Sequence, residues 1–155
     1  MKLIYLPAIV FLVFCTSRLS AQEIAEEIER LLSKNVVTYA AAARFLLEAS
    51  DTLVTPDVHE AFLYASQRKW LPRNASENEA ARFDGVSLLI MRSFNFKGGI
   101  MYSIFKSPHY SYRELVSKNI IQGRADPDMY ISGEKLLFIT SKALIQKETE
   151  KMNEK

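Results

Sequence analysis

Cysteine is nearly absent: the single one, Cys15, lies inside an apolar N-terminal run. The rest of the chain therefore forms no disulfide, no thiolate metal site and no cysteine-nucleophile centre. Histidine is scarce as well. His59 and His109 stand about 50 residues apart, too sparse for a zinc site without thiolates. With five glycines in total there is no phosphate-cradling loop, because Gly98-Gly99 is not followed by Gly-Lys-Ser/Thr. A second apolar stretch long enough to span a membrane is also missing.

The N-terminus has the three parts of a secretion signal: Lys2, the apolar run Leu3 to Phe14, and the small-residue exit Leu19-Ser20-Ala21. The run of about a dozen residues is shorter than the roughly 20 of a spanning helix. Cleavage after Ala21 is the expectation, giving a signal peptide over 1–21 and a domain exported to the periplasm or cell surface. The alternatives are an uncleaved anchor and a lipid anchor at Cys15. Export changes the charge balance. Lys2 and Arg18 fall within 1–21, which carry no acidic residue, so the chain's 20 basic and 18 acidic side chains become 18 of each. A neutral domain offers no argument for nucleic acid or anionic lipid, so a membrane is expected to be met only through the cleaved signal.

Beyond the signal, apolar residues recur at helical spacing and predict an all-α domain over 22–147 with one core. Gln22 to Lys34 reads as an amphipathic helix with Ile24, Ile28, Leu31 and Leu32 on one face. Thr38 caps a second helix to Ala49, and Thr55-Pro56 opens a third to about Lys69, with Val58, Phe62 and Ala65 inward. Asp84 caps a helix carrying Val86, Leu89, Ile90 and Phe94. Ile100 to Phe105 reads as a short strand or a buried helical turn. Ser111 opens the next helix, with Tyr112, Leu115 and Val116 inward. Ser132 caps a last one through Leu136, Ile139, Ala143 and Leu144. The charged residues 148–155 predict a flexible tail.

Sliding the chain by 50 residues aligns helix, loop and helix without a gap. His59-Glu60-Ala61-Phe62 falls on His109-Tyr110-Ser111-Tyr112, and Val86, Leu88, Leu89 on Leu136, Phe138, Ile139. A shorter front copy places Val37-Thr38 on Ile131-Ser132. Three copies result, at about 22–50, 55–95 and 106–147. Stacking them buries the apolar face of each.

These residues resemble the S-layer-homology family. His109-Tyr110-Ser111-Tyr112, Ile120-Ile121-Gln122-Gly123 and Ile131-Ser132 stand where the family's unit has its start, its helix exit and its second-helix opening. His59, Phe62, Trp70 and Leu71 do so in the middle copy. The resemblance implies a non-catalytic envelope module that contacts cell-wall polymer or another envelope protein. It also implies an arginine and a glutamate opening each second helix to hold anionic polymer. Here those positions carry Tyr39, Phe83 and Gly133, and Ala41, Gly85 and Lys135, so that polymer-binding signature is lost.

Other chemistry is thin. Neither histidine sits in a nucleophile pattern, which argues against the rival reading as a small periplasmic hydrolase or its accessory subunit. Asp126, Asp128 and Glu134 lack the alternating oxygens of a calcium loop. No cofactor is implied. Phe94, Phe96, Tyr102, Phe105, Tyr110 and Tyr112 crowd the junction of the second and third copies, where Arg82, Arg92 and Lys106 can meet an anionic ligand. The candidate binding residues are Trp70, Arg82, Arg92, Tyr110 and Gly123.

Overall fold

The computed structural model describes residues 25–123 and 126–153. The expected signal segment, with Cys15, Gln22 and Ile24, lies outside the described residues. These form seven helices: α1 over 25–32, α2 Tyr39–Ala49, α3 Val58–Gln67, α4 Phe83–Ser93, α5 Ile100–Phe105, α6 Pro108–Ser117 and α7 Gly133–Asn153. The expected all-α class holds, and extended pairing among the described residues is limited to the isolated bridges Thr38–Ala80 and Arg82–Tyr130.

Three helix pairs successive in the chain, α1/α2, α3/α4 and α6/α7, surround one core, and the closest packing runs between pairs, α2 on α3 and α4 on α6. At its centre three buried segments close a ring of backbone hydrogen bonds. Val37 N–H donates to the Ile131 carbonyl (3.0 Å), Ile131 N–H to that of Ala81 (2.9 Å), and Ala81 N–H to that of Val37 (2.8 Å). All three residues are fully buried, so water cannot replace a missing partner. Two residues on, each second helix begins under a carbonyl from a neighbouring segment. Tyr39 N–H bonds Glu79 O (3.0 Å), Phe83 N–H bonds Met129 O (3.0 Å) and Gly133 N–H bonds Lys34 O (2.9 Å). Donors that a helix start leaves unpaired are thus satisfied across the core.

The same correspondence governs the helix ends. Asp51 and Asn95 after α2 and α4, and Lys69 and Asn119 after α3 and α6, all take left-handed backbone with φ between 52° and 58°. The following N–H then reaches back to the last turn: Thr52 to Leu47 O and Trp70 to Ala65 O at 2.9 Å, Phe96 to Met91 O at 3.0 Å, and Ile120 to Leu115 O at 2.9 Å.

Several helix starts differ from expectation. Thr38 does cap α2 through the Ala41 N–H (3.4 Å). Thr55 does not open α3: its hydroxyl accepts from Asp57 N–H (3.2 Å) and donates to the Glu60 carboxylate, leaving Asp57 as the cap. Asp84 lies inside the first turn of α4, after Arg82. Ser107, followed by Pro108, caps α6, while Ser111 is buried and bonds back to Ser107 O (2.8 Å). Residues 100–105 are helical, closed by the left-handed Lys106, and only Tyr102 among them is buried.

Helix faces differ too. Ile28, Leu32, Val58, Val116 and Leu144 are exposed; Leu31, Ala61, Ala65, Leu115 and Ala143 take the inward positions. The tail expected beyond 147 stays helical to Asn153, held by the Lys118–Glu150 ion pair (3.2 Å) and by Lys147 over the Phe96 ring (5.9 Å).

Gly133 stands where the other pairs carry the buried Tyr39 and Phe83, and sterics explain the exchange. The short connection after α1 lays Leu31 against the start of α7. A Cβ on Gly133 would lie 1.6 Å from the Leu31 carbonyl oxygen. Gly133→Ala is expected to lower unfolding free energy by about 1–3 kcal/mol, read as a drop in the urea midpoint. An unchanged midpoint would mean that α1 does not rest there.

Candidate ligand groove

Each helix pair leaves a groove between the exit of its first helix and the outer face of its second. Their chemistry differs. Beside α1 and α2 a cavity of 700 Å³ is lined by Glu26, Glu27, Arg30, Lys34, Arg44 and Glu48, among others. Most of its charges are paired, with Arg30 beside Glu26 (3.6 Å). Arg44 makes two hydrogen bonds to Glu27, lies 3.7 Å from Glu48 and donates to Thr55 O (3.1 Å). The α6/α7 counterpart is only 260 Å³ and mostly apolar, with Phe83, Ile121, Phe138 and Ile139 beside Glu134 and Lys135.

The α3/α4 groove is cationic. A 720 Å³ cavity is lined by Lys69, Arg73, Arg92 and Lys106 with Leu71, Leu88 and Phe105, and a 590 Å³ cavity adjoining it adds Trp70, Lys97 and Tyr102. Neither cavity is lined by an aspartate or glutamate. Arg92 lines both cavities, and its Nε is buried without a hydrogen-bond partner. The groove exists because α3 ends in the left-handed Lys69, which turns Trp70 back over the helix, where it meets Tyr64 edge-on (5.9 Å).

Of the residues singled out in the sequence, the structure brings Trp70, Arg92 and Lys106 together. Tyr110 borders them by stacking on Phe105 (5.3 Å). Arg82 is elsewhere and engaged: it pairs with Asp128 (3.0 Å) and Asp84 (3.6 Å) where the second and third loops meet. Burial pushes the Asp84 carboxyl above its ordinary range, against the pull of Arg82. Gly123 is an exposed turn residue (φ 86°) and lines neither cavity. Lys69 and Arg73 were missed. Their signal was the run Lys69-Trp70-Leu71-Pro72-Arg73, basic and aromatic residues around a helix exit.

Asp126 closes its own turn by accepting from Asp128 N–H (3.0 Å), and Asp128 holds Arg82. Among the described residues no group of three histidine, cysteine or carboxylate side chains is placed to hold a metal ion, and no helix is long and apolar enough to cross a membrane. Compared with known proteins, the chain matches no family model, no curated protein and no solved structure.

The two histidines sit at matching places in the first turns of α3 and α6. His109 packs edge-on against Tyr110 (5.4 Å). His59 Nδ1 bonds Glu77 (2.8 Å), tying α3 to the second loop, whose Glu77 carbonyl also receives Ala40 N–H (3.2 Å). The hydrogen bond and charge of Glu77 raise the His59 pKa above its ordinary 6.5. A raised folded-state pKa stabilises the fold below the unfolded value, and the gain disappears as pH rises through the folded one. The His59 ring resonances are expected to titrate above pH 6.5 by NMR, and in Glu77→Gln the midpoint should fall back towards 6.5. An equal midpoint in both proteins would exclude the pair.

Proposed function

We propose that this chain is an exported, non-catalytic envelope module, three copies of an S-layer-homology-like unit, that holds an anionic envelope polymer in the α3/α4 groove. The observation carrying this reading is the pair of adjoining cavities with Lys69, Arg73, Arg92, Lys97 and Lys106 on their walls and no carboxylate. Trp70 and Phe105 on the same walls offer the flat apolar faces on which sugar rings stack.

Loss of the family's arginine and glutamate does not oppose the reading, because the fold uses those positions otherwise. Tyr39 and Phe83 are buried, the Tyr39 hydroxyl covers the space a Gly85 Cβ would fill (2.5 Å), and Gly133 makes room for Leu31. Polymer binding therefore rests on residues from the exit of α3 and the end of α4.

Binding to purified cell-wall sacculi tests the proposal. The chain from Gln22, which carries every described element, is expected to be retained, and removing the secondary anionic polymers should release it. Lys69→Gln with Arg73→Gln should weaken retention about tenfold or more, at roughly 1.5–3 kcal/mol per charged hydrogen bond lost. Retention that ignores both the polymer and the double variant would overturn it.

A further inference from the structure

Helix α5 has no counterpart between the first two helix pairs. From the left-handed turn to the next cap the chain takes 51–57 after α2 and 95–107 after α4, and the excess is the length of α5, Ile100–Phe105. This added helix contributes only Tyr102 to the core. Ile100, Met101, Ile104 and Phe105 are 78, 55, 66 and 58% exposed, the densest group of large apolar side chains left open to solvent. Such a patch on a small domain marks a contact surface.

The surroundings say what covers it. No aspartate or glutamate occurs between Asp84 and Glu114, whereas Arg92, Lys97, Lys106 and Arg113 do. Lys106 directly follows α5, and Lys97 lies three residues before it, ahead of Gly98-Gly99. The nearest carboxylate in sequence, Glu114, is turned onto the Gly99 N–H at the start of α5 (2.9 Å). Large aliphatic side chains presented on a short helix that ends in Lys106, in a stretch with no carboxylate from 85 to 113, fit the boundary between acyl chains and anionic headgroups. There a lysine stem lies along apolar surface while its ammonium group reaches phosphate.

We propose that α5 is a membrane-docking tip that inserts Ile100, Met101 and Ile104 into the interface of an anionic phospholipid bilayer. It gives the module a second attachment through Ile100, Met101 and Ile104, which line neither of the groove's cavities, whereas Tyr102, Ser103 and Phe105 of the same helix do.

Flotation of the chain from Gln22 with vesicles of phosphatidylcholine, alone or mixed with phosphatidylglycerol, tests this. The protein is expected to float with the anionic vesicles and much less with the neutral ones. Ile100→Ser with Ile104→Ser should cut partitioning about tenfold or more while leaving helix content, thermal midpoint and sacculus retention unchanged. Lys69→Gln with Arg73→Gln should do the reverse, so each reading fails by itself. Absence of flotation with anionic vesicles, or equal flotation of the double serine variant, overturns the proposal. So does a dimer in solution that the double serine variant abolishes without any vesicle binding, which would assign α5 to a second copy of the chain.

Discussion

Three buried backbone hydrogen bonds, joining Val37, Ala81 and Ile131 head to tail, are the constraint on which the rest of this molecule depends. Each residue gives its N–H to one neighbour and its carbonyl to the other, and none is reached by solvent. Withdrawing any one segment leaves a donor and an acceptor unpaired in the core, at about 1–3 kcal/mol each. In a chain whose one cysteine lies at the N-terminus, this ring and the apolar side chains around it do the work that cross-links do in disulfide-bonded small domains. It also holds the starts of α2, α4 and α7 at one centre, each under a carbonyl from a neighbouring segment.

With the centre held, variation is left to the periphery. Three grooves recur in equivalent places, yet one neutralises itself around Arg44, one is small and apolar, and one collects cations. Position by position the shift is simple: Glu48, which supports Arg44 from α2, corresponds to Arg92 on α4. Reversing that charge turns a closed ion-pair network into an open basic groove. The centre shows the opposite trade, as Tyr39, Phe83 and Gly133 are each dictated by what packs against them.

Much of this was legible in the sequence. The all-α class could be read there because buried helix faces impose a periodic pattern. The junction of the last two copies stood out because its aromatics and arginines cluster. Less legible were the helix starts, since Thr55-Pro56 and Ser107-Pro108 look alike, yet Thr55 bonds Glu60 and leaves the cap to Asp57 while Ser107 itself caps α6. Asp84 resembles a cap, but carbonyls from the third loop take that role. The continuation of the last helix beyond 147 left little trace, because its contacts, Lys118 to Glu150 and Lys147 over Phe96, join residues distant in sequence. Arg82 was singled out for its charge, and only the fold reveals that Asp128 occupies it. Lys69 and Arg73 escaped notice because a lysine at a helix exit is ordinarily solvated. The left-handed turn that brings it beside Arg92 and Lys106 leaves no mark in composition.

Native-state hydrogen exchange at the amides of Val37, Ala81 and Ile131 tests the central claim most directly. If the ring is the common lock of the three helix pairs, all three amides exchange only through global unfolding, with one shared opening free energy equal to that of denaturant unfolding. Exchange of any one of them through a cheaper local opening, with the other two still protected, would contradict the account.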